Sequence, residues 1–376
     1  MHDEEQMYEV AYPAPAVRSD NDGANGPTLV IAMSGYADAG MAVETAADHL
    51  QAALETRELV SFNPDELVDY RSRRPAATIS SNEPVSVDDA NLSIQVLRDN
   101  AGRSFLLLSG PEPDIRWEAF TDSVADLVDR FGVKNTISLY AAPMPTPHTR
   151  PLVITGHGSK DLTNRMVTLD STMIVPGSAS LFIERELANR GRNAAGFTAH
   201  VPHYLASSPY PHAAYRLLES VEAAAGLDLP LRSLERDMER VNEQLAEQVG
   251  ESEEVYHVVA QLEEQYDSFM EQYRKRHPQA IMPGEENMPS GEEISEEFQR
   301  FLAAFDSGDV DFSGFLPRTD LENLGDDTAG GTANSEKDDV AGLGHDEPPH
   351  RNDRDDTDRG ESDGSRDDSQ DGPAAP

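Results

Sequence analysis

The sequence predicts an α/β protein: a mixed, largely parallel sheet flanked by helices, followed by a C-terminal helical hairpin. Three observations predict it. From Thr28 to Ala225, short apolar runs bounded by turn residues alternate with amphipathic stretches at helical spacing, the pattern of strands joined by crossover helices. From Leu231 to Tyr273 apolar residues step by 3 and 4, with a break at Gly250–Ser252, as expected of two antiparallel helices. Beyond Phe315 there is no aromatic residue, and Asp, Gly, Ser and Pro dominate, too little apolar surface to offset chain entropy. The expected organisation is a 1–27 N-terminal segment, a 28–230 α/β core, a 231–305 helical hairpin with a short helix, and a 306–376 acidic disordered tail.

Tyr8–Val10 is a candidate edge strand. Thr28–Met33 (TLVIAM) is a buried-strand run, and SGYADAG follows it. A helix then begins near Met41, with Ala46, Leu50 and Leu54 on its apolar face and Asp38 as N-cap. Glu58–Phe62 is a second strand. Ser93–Leu97 and Ser104–Leu108 flank Asn-Ala-Gly, a hairpin signal. Asp114–Phe131 is an amphipathic helix that places Trp117 in the core. Thr136–Tyr140 and Leu152–Thr155 are strands joined by a proline-rich loop, and Val167–Val175 holds another strand. Ser178–Arg190 is a helix stopped by Gly191. Ala195–Val201 is a strand and Pro211–Ala225 a helix. In the hairpin the inner seam reads Leu231, Leu234, Met238, Val241 and Leu245, then Val255, Val258, Leu262, Tyr266, Phe269 and Tyr273. Ile294–Phe305 is a short further helix.

Composition narrows the function classes. The 376 residues carry a formal net charge of −40. From Asp306 to Pro376 there are 21 acidic and 6 basic residues, a net of −15. A strongly acidic chain is a poor partner for nucleic acid, which needs clustered Lys and Arg. There is no cysteine, so disulfides, thiolate metal sites and a cysteine nucleophile are absent. The acidic N-terminus is unlike a signal peptide, and no apolar run approaches the roughly 20 residues of a membrane span. The expectation is a cytoplasmic protein with neither nucleic-acid nor membrane partners.

The candidate chemistry is thin. Ser34, Gly35 and Gly40 lie in a loop that opens a helix, where backbone N–H groups could face an anion. His148 and Arg150, in the proline-rich loop, offer an acid or base near neutral pH and a bidentate cation. His157, between two glycines, could line the same mouth or be a turn residue. Arg71 and Arg73, sharing a face if extended, form either an anion clamp or an ion-paired network that fixes a loop. His200 and His203 face opposite sides of a strand, so no metal site is expected. No nucleophile elbow, phosphate-binding loop or carboxylate pair completes a catalytic set, and no cofactor is implied.

Five stretches together resemble one family: SGYADAG (Ser34–Gly40), DYRSRRP (Asp69–Pro75), PMPTPHTRP (Pro143–Pro151), AHVPHYL (Ala199–Leu205) and YPHAAYRLL (Tyr210–Leu218). In order and spacing the chain is similar to the proteasome assembly chaperone 2 family, in its actinobacterial branch. The resemblance implies a nucleoside-phosphorylase-like α/β core with a C-terminal helical addition, and a homo-oligomer, with a trimer favoured. It also implies a non-catalytic, chaperone-like or scaffold role in binding other proteins, linked in eukaryotic members to proteasome assembly. Those members dock through a hydrophobic-Tyr-any-residue C-terminus, whereas this chain ends Ala374-Ala375-Pro376. The alternative is an enzyme or sensor with a phosphorylase-like site for a small phosphorylated or carboxylated ligand.

Overall fold

In the computed structural model, residues 7–18, 26–88, 90–168, 171–278 and 280–285 are described. The expected helix Ile294–Phe305 and the acidic tail lie outside these residues. The chain begins with β1 (Tyr8–Val10), β2 (Thr28–Ser34), α1 (Ala42–Ala53), β3 (Thr56–Phe62) and the one-turn α2 (Pro64–Leu67). A hairpin of β4 (Ala77–Ser80) and β5 (Glu83–Val87) precedes β6 (Ser93–Arg98), β7 (Ser104–Pro111), α3 (Trp117–Phe131) and β8 (Asn135–Met144). Then come β9 (Ile154–Gly158), α4 (Lys160–Thr163), α5 (Ala179–Asn189), β10 (Asn193–Pro202) and α6 (Pro211–Ala225). The hairpin helices are α7 (Arg232–Glu251) and α8 (Glu253–Arg276).

Eight strands form one sheet in the order β1-β3-β6-β7-β2-β8-β10-β9. Its centre, β7-β2-β8-β10, is parallel. The flanks are antiparallel: β6, β3 and β1 on one side and β9 on the other. The apolar run of β2 is buried on both faces, as a central parallel strand requires. Val30 and Ala32 share a core with Val43, Ala46 and Leu50 of α1 and Leu217 and Val221 of α6. Leu29 and Ile31 face a second core with Phe120 and Val124 of α3 and Ile183 of α5. This is a three-layer α/β/α arrangement.

Local chemistry sets the element ends. The Ser178 hydroxyl accepts from the Leu181 N–H (3.2 Å), capping α5. Gly132, at φ 64°, ends α3 in the left-handed conformation that suits glycine. Trp117 is partly buried: its indole N–H donates to the Pro113 carbonyl, and its ring meets Phe182 edge-on at 5.5 Å.

The structure departs from expectation in three places. The β4–β5 hairpin was not foreseen, because every residue in it is exposed and it contributes to no core. Val167–Val175 holds a single bridge, Thr155 to Val167, in place of a strand among its described residues; Met173, Ile174 and Val175 are exposed, so no neighbour holds them extended. The hairpin helices use their seams on the core. Leu231, Leu234, Val241 and Leu245 join the core under α1 and α6, while Tyr266, Met270 and Tyr273 enclose Val153 and Val167. Val255 and Val258, expected on the inner seam, are exposed at the start of α8. No described helix is long and apolar enough to cross a membrane.

Candidate functional site

The proline-rich loop leaves the carboxyl end of β8, where open α/β sheets commonly present ligand sites. Here the chain fills it. Arg150 Nε and Nη2 donate to the two carboxylate oxygens of Asp267 (2.9 and 2.8 Å), and Nη1 donates to Glu263 Oε1 (3.1 Å). The Thr149 hydroxyl donates to the same Glu263 oxygen. Glu263 and Asp267 stand four residues apart on α8, hence on one face. The Tyr266 hydroxyl donates to the Pro151 carbonyl (2.7 Å), and the Tyr273 hydroxyl accepts from the Thr168 N–H (3.0 Å). The Asp267 hydrogen bond holds the Arg150 guanidinium more firmly charged, and Arg150 in turn keeps the Asp267 carboxyl below its ordinary range. A planar guanidinium suits such a fork-to-carboxylate contact.

His148 is also engaged. Its backbone N–H donates to Tyr204 Oη (2.9 Å), and its Nδ1 lies 2.7 Å from the same oxygen, so the hydroxyl hydrogen has an acceptor. Burial lowers the His148 pKa, against an opposing pull from Glu263.

Around Ser34 the helix N-termini are likewise taken. Asp38 Oδ1 and Oδ2 accept from the Val43 and Glu44 N–H groups (2.7 and 3.2 Å), so α1 meets a carboxylate of its own chain. Burial raises the Asp38 pKa despite those donors. The Gly40 N–H donates to Ala206 (2.8 Å) and the Gly40 carbonyl accepts from Tyr210 (2.8 Å). Gly40 has φ 69°, and a Cβ there would come within 3.0 Å of Tyr210 Cβ; glycine is required for this close contact. A Cβ at Gly35 would sit 2.6 Å from Glu112 Oε2, and Glu112 Oε1 accepts the Ala179 N–H that opens α5 (2.7 Å).

Arg71 and Arg73 stand in a turn. The Ser72 and Arg73 N–H groups donate to the Asp69 carbonyl (2.9 and 3.0 Å), so the two arginines do not share an extended face. Arg73 Nε pairs with Asp114 Oδ1 (3.1 Å), and Asp114 Oδ2 accepts the Asp69 N–H (2.9 Å). This is an ion pair that fixes a loop.

His157 lies on β9. Its Nε2 donates to Glu184 Oε2 (2.8 Å), and the buried Tyr140 hydroxyl donates to Glu184 Oε1 (2.6 Å). The Glu184 hydrogen bond raises the His157 pKa, and burial followed by Glu184 pushes the Tyr140 phenol well up. Gly196 makes room: a Cβ there would lie 2.2 Å from His157 Cε1. His200, the other strand histidine, is buried, with Nε2 3.2 Å from the Thr155 hydroxyl and a pKa lowered by burial to about 4. No group of three or more metal-ligating side chains occurs among the described residues.

Ser34 lines a cleft of about 330 Å³ beside α1, together with Glu44, Asp48, Gln51, Ser93 and Ser109. His148, Arg150 and His157 do not line it. Sequence reasoning therefore found the loop but missed the α8 carboxylates that fill it. The signal was present in the i, i+4 spacing of Glu263 and Asp267, which reads equally well as a solvated helix face.

These features define a three-layer α/β protein with a docked helical hairpin, whose strand-end loops are held by its own side chains. The chain belongs to the PAC2 family, whose profile matches residues 32–249; all five motifs lie inside that stretch. Among solved structures, a protein of unknown function from Corynebacterium glutamicum is 55% identical, with 71% of this chain and 99% of that chain covered and a TM-score of 0.69. The Mycobacterium tuberculosis protein Rv2714, of unknown function, is 45% identical over 73% of this chain and 92% of its own, TM-score 0.69. The Mycobacterium tuberculosis proteasome-assembly chaperone homologue Rv2125 is 27% identical over 62% of this chain and 99% of its own, TM-score 0.57. A search of curated proteins finds no match.

Proposed function

We propose that this PAC2-family protein is a non-catalytic, assembly-chaperone-like scaffold that binds other proteins and acts as a cytoplasmic homo-oligomer, with a trimer favoured. The observation that carries this reading is the likeness to a proteasome-assembly chaperone homologue along 99% of that homologue's length. The site geometry supports it. His148, Arg150 and Arg73 contact the chain's own side chains, so the loops that could run chemistry serve to hold the fold.

Exposed apolar groups support the binding role. Ile79 and Val85 on the β4–β5 hairpin are 70% and 59% exposed, and Ile174 is 99% exposed. Ile79 and Val85 lie on one small hairpin, where exposed apolar surface marks an interaction site, and an isolated two-stranded hairpin is marginal in water. Burial against a sister subunit or a partner would supply what the hairpin lacks. The cleft at Ser34 carries carboxylates and no cation, which disfavours a small phosphorylated or carboxylated ligand there.

Light scattering on the purified chain, combined with affinity isolation at low salt and identification of bound proteins, tests the proposal. The expected result is a trimer mass and co-isolation of proteasome subunits. A monomer that isolates alone would overturn it.

A further inference from the structure

We infer that the cleft between α1 and the β6–β7 pair binds a compact hydroxylated amine: an ammonium group on a polyol frame, of the amino-sugar class. The inference stands apart from the assembly role.

It begins with a change of character on one face of the sheet. Leu97, Phe105 and Leu107 pack into the core beneath α1. Two residues on from Leu107 stands Ser109, and Gln95 and Ser93 continue the same face of β6. The apolar layer therefore becomes polar before the sheet ends. Ser93 and Ser109 are register partners, only 1% and 4% exposed.

The polar groups there are incompletely used. Gln51 Nε2 donates to Gln95 Oε1 and to Ser109 Oγ, each at 2.9 Å, which fixes the Gln51 amide. The Ser93 hydroxyl lines the cleft and has no hydrogen-bond partner among the described residues. Buried polar groups are normally paired, so a buried hydroxyl turned into open space asks for a ligand or water.

Charge and size select the ligand. Glu44 and Asp48 lie one helical turn apart at the exposed rim, and no Lys, Arg or His lines the cleft. An anion is repelled there and a cation attracted. Fewer than three metal-ligating side chains gather here, too few for a dedicated metal cage. A volume of about 330 Å³ sits at the small end of ligand pockets, roughly 300–1,000 Å³. An ammonium between Glu44 and Asp48, with hydroxyls reaching Ser93, Ser109 and Gln51, satisfies both the charge and the unused polar groups.

Calorimetric titration of the full chain in phosphate buffer free of amines tests this, with D-glucosamine, D-glucose and D-glucose 6-phosphate as probes. We expect saturable one-to-one binding of glucosamine, at least tenfold weaker binding of glucose, and none of glucose 6-phosphate. The E44Q/D48N variant changes only exposed rim groups and should bring glucosamine down to the affinity of glucose. Ser93→Ala should weaken both neutral and cationic probes while the melting temperature holds. No saturable glucosamine binding, equal binding by the E44Q/D48N variant, or a preference for glucose 6-phosphate would each overturn the inference.

Discussion

Two regions near the carboxyl ends of the parallel strands β7, β2, β8 and β10 differ in how far their side chains are already engaged. The Pro143–Pro151 loop after β8 holds the groups that look most like chemistry, and nearly all of them are consumed. Arg150 is forked onto Asp267, Thr149 reaches Glu263, and His148 is tied to Tyr204. The region around Ser34 and the ends of β2 and β7 holds unremarkable serines and amides, yet the Ser93 hydroxyl has no hydrogen-bond partner among the described residues and lines an open cleft. Residues with reactive side chains need not mark a site. What matters is whether the fold has already spent their hydrogen bonds.

Tyr273→Ala should have the largest effect on the closed side. The ring is 3% exposed and stacks on His277 at 4.4 Å. Its loss should cost about 3–5 kcal/mol, as for other buried aromatic truncations, read from denaturant melts, with the Ser34 cleft unchanged.

Next comes acid. His200 packs on the closed side, its backbone N–H donating to the Val153 carbonyl (3.0 Å). It has a folded pKa of about 4 against 6.5 when free. The unfolded chain binds the proton more readily, so this contribution is complete above pH 6.5 and falls away as pH drops toward about 4. The difference amounts to up to about 3 kcal/mol. His200→Asn should flatten that part of the stability–pH curve. His157 acts in the other direction: with its pKa raised by Glu184, it adds stability at low pH that is lost as pH rises through the folded value.

Arg150→Ala should cost about 1 kcal/mol, near the upper end for partly exposed ion pairs. Arg150→Lys should recover only part of it, because an ammonium cannot fork. The smallest effect belongs to Ser93→Ala, within about 0.5 kcal/mol of wild type, since the hydroxyl removed has no hydrogen-bond partner among the described residues to strand. A loss of several kcal/mol there would show that Ser93 supports the fold and break the contrast.

The sheet and its crossover helices were legible because periodicity reports burial. α3, α5 and α6 carry their buried residues at helix spacing, and β2 is a short apolar run buried on both faces. Elements that bury nothing were not legible, as β4 and β5 show. The loop at Pro143–Pro151 was recognisable from its composition, but its partners were not. Glu263 and Asp267 lie 113 and 117 residues beyond Arg150, and no local pattern encodes so distant a contact. Arg71 and Arg73 left two readings open, a clamp or an ion-paired loop; the Asp69 carbonyl folds them into a turn and Arg73 pairs with Asp114. The cleft escaped because Glu44 and Asp48 read as the wet face of α1, and only the tertiary fold brings Ser93 and Ser109 beside them.

The proline-rich loop serves to anchor α8. A double-mutant cycle between Arg150→Ala and Asp267→Ala, read by hydrogen exchange on α8, tests it most directly. We expect a coupling of about 1 kcal/mol and a loss of protection confined to the part of α8 from Leu262 to Tyr273. Additive effects with α8 protection unchanged would contradict it.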